Sequence, residues 1–191
     1  MKQLAMLVLL VTGLLLGGIV PGLAKKSAKP IIETFEATVP GAGVMRVEIE
    51  EFSTDQDMQE LARTYDERGK DAVESALRKT EKGRCWIGDR AKPIRLARSA
   101  SQGGTRSLFI VADAGDRIDS DLGGHVSIGH RGYDFTFVQL RIDQQTKGVG
   151  VWLPFVEVVF NKQGVIDIKS MPVGSGANAS TRLTNVHAVS Q

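Results

Sequence analysis

Apolar residues run from Leu4 to Val20 without a single charge, and only well beyond that point does the chain begin to alternate. One positive charge precedes the run, in Met1-Lys2-Gln3. Pro21-Gly22-Leu23-Ala24 follows it, with Gly22 and Ala24 at the −3 and −1 positions of a cleavage point. This order predicts a secretory signal peptide over 1–24 and a processed chain that begins at Lys25. The alternative is an uncleaved membrane anchor. The run sits at the short edge of the ~17–25 residues a span needs, and Gly13, Gly17 and Gly18 weaken it as a helix. Lys25 and Lys26 directly after it suit a cytoplasm-retained end. No cysteine lies near the cleavage point, which argues against a lipoprotein anchor.

Residues 25–32 form a short basic tail, with Lys25, Lys26 and Lys29, and read as a flexible, solvated terminus. Period-2 alternation then begins. Phe35, Ala37 and Val39 share one face, Pro40-Gly41-Ala42-Gly43 makes a turn, and Met45, Val47 and Ile49 alternate with Arg46, Glu48 and Glu50. This predicts a β-hairpin with one wet face.

The period changes after Phe52. Ser53 and Thr54 are good N-caps, and Gln56 stands three residues after Ser53 as in a capping box. Met58, Leu61, Ala62 and Tyr65 fall at helical spacing, and Gly69 suits a helix end. Ala72, Val73, Ala76 and Leu77 form a second stripe, with a weaker cap at Asp71 and Glu74. A helix pair is predicted at roughly 55–68 and 71–81.

Strand patterns follow at Arg84–Ile87, Ile94–Arg98, Thr105–Ala112, Tyr133–Ile142, Val149–Phe160, Val165–Lys169 and Thr181–Val189. In Tyr133–Ile142 both parities are apolar, so both faces of that strand should be covered. Pro154 predicts an edge position or a bulge. Asp113–Gly132 reads as a long loop, Asn161–Gly164 as a hairpin turn and Gly174–Asn178 as a flexible loop. Hairpin, helix pair and then a run of strands argue α+β: one domain over 33–191, a curled antiparallel sheet with the helix pair inserted after the first hairpin. A curled open sheet and a closed barrel both remain open.

Composition narrows the function classes. Removal of 1–24 leaves 167 residues, enough for one domain, with side chains summing to +1. A near-neutral sum offers no footprint for nucleic acid or an anionic membrane surface. Membrane association is therefore expected only if 1–24 is retained as an anchor. Cys85 is the only cysteine, so no internal disulfide can form. It reads as a buried apolar thiol, with an intermolecular disulfide or a reactive thiol as the alternative.

The chemistry-bearing patterns are weak. Gly41-Ala42-Gly43 begins a dinucleotide motif, but position 46 is Arg and a strand follows where a helix is needed. Gly69-Lys70 runs into Asp71, not Ser or Thr, so no phosphate loop forms. Ser175 is out of frame for a nucleophile elbow. His125, His130 and His187 could serve a nucleophile only through tertiary contacts. His125 and His130 could chelate together only from an irregular loop. Asp113, Asp116, Asp119 and Asp121 crowd oxygen ligands together, but His130 stands where a calcium loop needs a carboxylate. Glu48 and Glu50 are most simply the wet face of a strand, with Glu51 beside them. Trp86, Trp152, Phe135, Phe137 and Phe155 suit a core, or the lining of a ligand pocket. These patterns assign no catalytic, cofactor-binding or metal-ligating residue and no cofactor.

Three stretches carry a resemblance: Val47–Asp55 running into the helix pair, Phe135–Asp143 followed by Lys147–Gly150, and Arg182–Val186. In these the chain resembles a group of small exported bacterial proteins of unknown function. The resemblance implies a self-contained exported domain and carries over no active site. The leading expectation is a periplasmic or extracellular domain without enzymatic activity that binds a small ligand or an envelope protein. One alternative is a hydrolase using the Asp/His-rich loop 113–132. Another is a structural or assembly protein using an exposed sheet edge.

Overall fold

The computed structural model describes residues 29–114, 133–145, 147–160, 165–170 and 180–189. The predicted signal peptide 1–24, His125, His130, Asp116, Asp119, Asp121, Ser175 and the predicted turn 161–164 lie outside the described residues.

Strands β1 (Glu33–Val39) and β2 (Gly43–Ile49) form the expected first hairpin. Helices α1 (Asp55–Arg68) and α2 (Lys70–Arg78) follow it. Then come β3 (Gly83–Ile87), β4 (Arg90–Gln102), β5 (Thr105–Asp113), β6 (Phe135–Ile142), β7 (Lys147–Phe160), β8 (Ile166–Ser170) and β9 (Thr181–Val189). Each strand pairs antiparallel with the next up to β8, and β9 inserts between β7 and β1. The ring β1-β2-β3-β4-β5-β6-β7-β9 is thereby closed. The antiparallel sheet is a barrel of eight strands, and β8 lies outside it on the far half of β7. Among the described residues two helices stand against nine strands, so α+β is only a loose description. Closure leaves β8 as the strand with a single partner among the described residues, and that edge is five residues long.

Two cores share the barrel wall. Phe35, Met45, Leu108, Ile110, Leu140 and Leu183 are among the side chains that fill the interior, each 2% exposed or less. An eight-stranded ring is just wide enough for such filling. Outside the wall, Leu61, Val73 and Leu77 of the helices pack on Leu96, Val111, Phe135, Val156 and Val158. Strand β6 serves both cores: Val138, Leu140 and Ile142 point inward, while Phe135 and Phe137 lie under the helices.

Two bulges make this sharing possible. On β4 the register shifts between Ile94 and Leu96, so Ile94 and Ala97 face inward while Leu96 faces the helices. On β7 it shifts around Pro154, between the pairs Phe137↔Leu153 and Phe135↔Val156. Trp152 before that bulge joins the interior, and Val156, Val158 and Phe160 after it join the helix core. Proline lacks a ladder donor, so a bulge accommodates it.

Local chemistry sets the helix ends. Thr54, not Ser53, is the N-cap: Asp57 N donates to Thr54 Oγ1 at 3.1 Å, and Thr54 N donates to Asp57 Oδ2 at 2.8 Å. Ser53 instead bonds across to β4, donating from N to Ala97 O at 2.7 Å and accepting from Ala97 N at 3.2 Å. Gly69, at φ +75°, ends α1 and starts α2 with no side-chain cap. The weaker cap expected at Asp71 is thus not used, and α2 closes at Arg78 rather than 81.

Candidate functional site

Cys85 lies inside the barrel, and burial pushes its thiol up to about 12. A thiol so protonated is no nucleophile at neutral pH. Trp152 also faces inward; its Nε1 donates to Thr136 Oγ1 at 2.7 Å, and that hydroxyl donates to Leu153 O at 2.9 Å. Phe135 and Phe137 belong to the helix core, and Phe155 is buried. Trp86 is half-buried on the opposite parity of β3 from Cys85. His187 is exposed, with Nδ1 2.8 Å from Asn185 O and Nε2 3.9 Å from Glu36.

The acids resolve into ion pairs. Arg46 holds Glu48 at 2.9 Å and lies 3.8 Å from Glu36. Glu51 is held by Lys29 and, at 2.6 Å, by Lys82, and these two bonds lower its carboxyl below the ordinary range. Lys82 is mostly buried, which disfavours its charge, but Glu51 and Asp57 outweigh this and raise it. Asp113 takes two bonds from Arg95, at 2.9 and 2.5 Å. The same guanidinium donates to Arg78 O at 2.9 Å and Thr80 O at 2.7 Å, which ties the end of α2 to β4 and β5. Asp134 lies 3.1 Å from Arg78. The two described acids that bracket the Asp/His-rich loop are therefore each held by an arginine.

Sequence reasoning missed three arrangements. At one end of the barrel, Arg106 Nη2 donates to Glu33 at 3.0 Å and its Nε to Ser99 Oγ at 2.8 Å. The guanidinium stands 5.9 Å over the Phe35 ring and 5.6 Å over Phe52. This is a plug built from charge and aromatic faces. Beside α2, Glu74 is pushed up by burial and then by Asp134, and its Oε1 accepts no hydrogen bond among the described residues. Lys70 bridges it, at 3.8 Å, to Glu157, at 3.2 Å.

The third arrangement is a surface. Among the described residues the helices cover β4, β5, the Phe135–Phe137 end of β6 and the Leu153–Phe160 end of β7, and no helix residue joins the packing on β1, β2 and β9. On this helix-free half the outward residues of β7 are Val149 and Val151, 43% and 37% exposed, and Val44 on β2 is 54% exposed. Cross-strand pairing sets Arg141 of β6 beside Val149, and Arg182 of β9 beside Val151. Lys147 lies at the start of β7, paired with His187. Arg141, Lys147 and Arg182 are exposed and carry no ion-pair partner among the described residues. A signal for this face stands in the sequence: in Gly148-Val149-Gly150-Val151-Trp152 the inward parity takes the glycines and Trp152, so the valines are left outside.

Among the described residues no group of three or more His, Cys, Asp or Glu is placed to hold a metal ion, and no helix is long and apolar enough to cross a membrane. Comparison with known proteins finds no matching family model, no matching curated protein and no matching solved structure.

Proposed function

We propose that residues 1–24 export this chain, and that the processed domain is a binding module of the cell envelope rather than an enzyme, using the helix-free half of its barrel. One observation carries the reading: on the barrel wall, exposed Val149 and Val151 stand beside Arg141 and Arg182, which have no ion-pair partner among the described residues. The interior is filled by large apolar side chains, which favours a site on the outside over one in the lumen. A closed barrel whose strand pairing is satisfied around the ring is a stable platform for such a face.

The test follows the full chain in its host. The expected product begins at Lys25, lies in the exported fraction and associates with the envelope. A Val149→Asp, Val151→Asp double variant is expected to be exported and folded but to lose that association. A product that retains Met1 sinks the export reading. A double variant that fractionates like the parent sinks the binding face.

A further inference from the structure

Acids outnumber bases on the helical segment and are absent from the strand stretches around Val149 and Val151. Residues 55–78, the helical segment, carry seven Asp and Glu against four Lys and Arg. Beyond the stretches that the helices cover, β6 from Val138, β7 as far as Trp152 and β9 carry Arg141, Lys147 and Arg182 and no acid. Three acids lie close to that face. Glu36 and Glu48 lie against Arg46, and Asp143 accepts from the backbone N–H groups of Gln145 and Lys147 at 2.8 and 3.0 Å. Three cations thus surround two exposed valines, with the exposed carboxylate of Asp143 in the adjoining turn.

We propose that this face docks on an anionic lipid bilayer surface. The inference rests on the reading above that the helix-free half is the binding face. Small apolar side chains set among cations match the two layers of a bilayer interface. Val149 and Val151 enter the headgroup boundary while Arg141, Lys147 and Arg182 meet the phosphates. An acidic protein partner fits less well, because interface cores are anchored by aromatic side chains and the outward positions named here hold none.

The chain from Lys25 onward contains every described element and is the material for the test. It is mixed with vesicles of phosphatidylglycerol and phosphatidylcholine, and with vesicles of phosphatidylcholine alone, and sedimented. Binding is expected to the anionic vesicles and not to the neutral ones, and to weaken with salt. Arg141→Gln with Arg182→Gln is expected to lose about 30-fold in affinity, the effect of two cations at an anionic surface. Arg63→Gln with Arg68→Gln, on the exposed side of α1, is expected to bind like the parent. Circular dichroism confirms that each variant is folded. Failure to bind anionic vesicles overturns the proposal, as does an equal loss in the α1 pair. Tighter binding to polyglutamate than to the vesicles overturns it in favour of an acidic protein partner. The N-terminal sequence of the processed chain plays no part in this measurement, so export and docking can fail separately.

Discussion

Arg106 on β5 donates to Glu33 on β1 at 3.0 Å, and these strands stand opposite each other in the ring, four steps apart in either direction. The pair therefore spans the barrel end and ties together two walls that no ladder connects. Both side chains are about one-third exposed, so screening limits the pair itself, while stacking on Phe35 and Phe52 adds to it. Arg106→Ala is expected to cost about 1–2 kcal/mol, read from the urea midpoint. An unchanged midpoint would show that the plug contributes nothing.

Cys85 offers a sharp chemical test. Its thiol is buried and pushed up to about 12, so the native protein should react with Ellman's reagent only as fast as it unfolds. Addition of denaturant should release one reactive thiol. Cys85→Ser buries a hydroxyl with no provided partner and is expected to cost about 1–3 kcal/mol. Prompt labelling of the native protein at neutral pH would contradict the interior placement.

Two carboxyl environments give opposite pH signs. Burial and Asp134 raise Glu74 above its unfolded value, so its ionisation costs stability above the folded value, and the cost disappears below the unfolded one. Glu74→Gln should therefore stabilise the protein at pH 7, by about 1 kcal/mol or less, and match the parent in acid. The bond from Thr54 N, aided by Lys82, lowers Asp57 despite its partial burial. Its contribution is present above the unfolded value and is lost as pH falls through the lowered folded value. Asp57→Asn should cost about 1 kcal/mol at pH 7 and little in strong acid. Parallel stability–pH curves for parent and variants would refute both assignments.

Gly83 begins β3 at φ +141°, and a Cβ there would lie 2.1 Å from Glu48 O, a backbone atom that cannot yield. Gly83→Ala should cost upwards of about 4 kcal/mol and leave little folded protein. Gly88 provides the contrast, at φ +64° with nothing near its missing Cβ. Gly88→Ala should cost only the local strain, about 1–2 kcal/mol. Thermal melts of the two variants separate steric conflict from backbone preference.

Much of the fold was legible in the sequence wherever the signal was local. Alternation placed β1, β2, β6, β8 and β9 within a residue or two at each end, and helical spacing with Gly69 placed α1 and the break after it. The doubled apolar parity of β6 announced its two cores, and Pro154 announced the bulge in β7. The apolar pattern marks only Ile94–Arg98 of β4, because its ends, Arg90–Lys92 and Ser99–Gln102, lack large apolar residues, are mostly exposed and are held by pairing with β3 and β5. Gly103-Gly104, both at positive φ, make the two-residue turn that joins β4 to β5. That pair of glycines was the available signal for the longer strand.

By itself the sequence determined the period of each segment, the turn chemistry, the uncharged run from Leu4 to Val20 and the single cysteine, because each depends on neighbours a few residues away. Tertiary structure alone decided that the sheet closes, since β9 meets β1 across more than 140 residues of chain. It alone joined Glu33 to Arg106, 73 residues apart. It also decided where the charges go. A side-chain sum of +1 suggested no electrostatic footprint, but a sum has no direction. Folding set the acidic helices over one end of β6 and β7 and left Arg141, Lys147 and Arg182 around bare valines at the other.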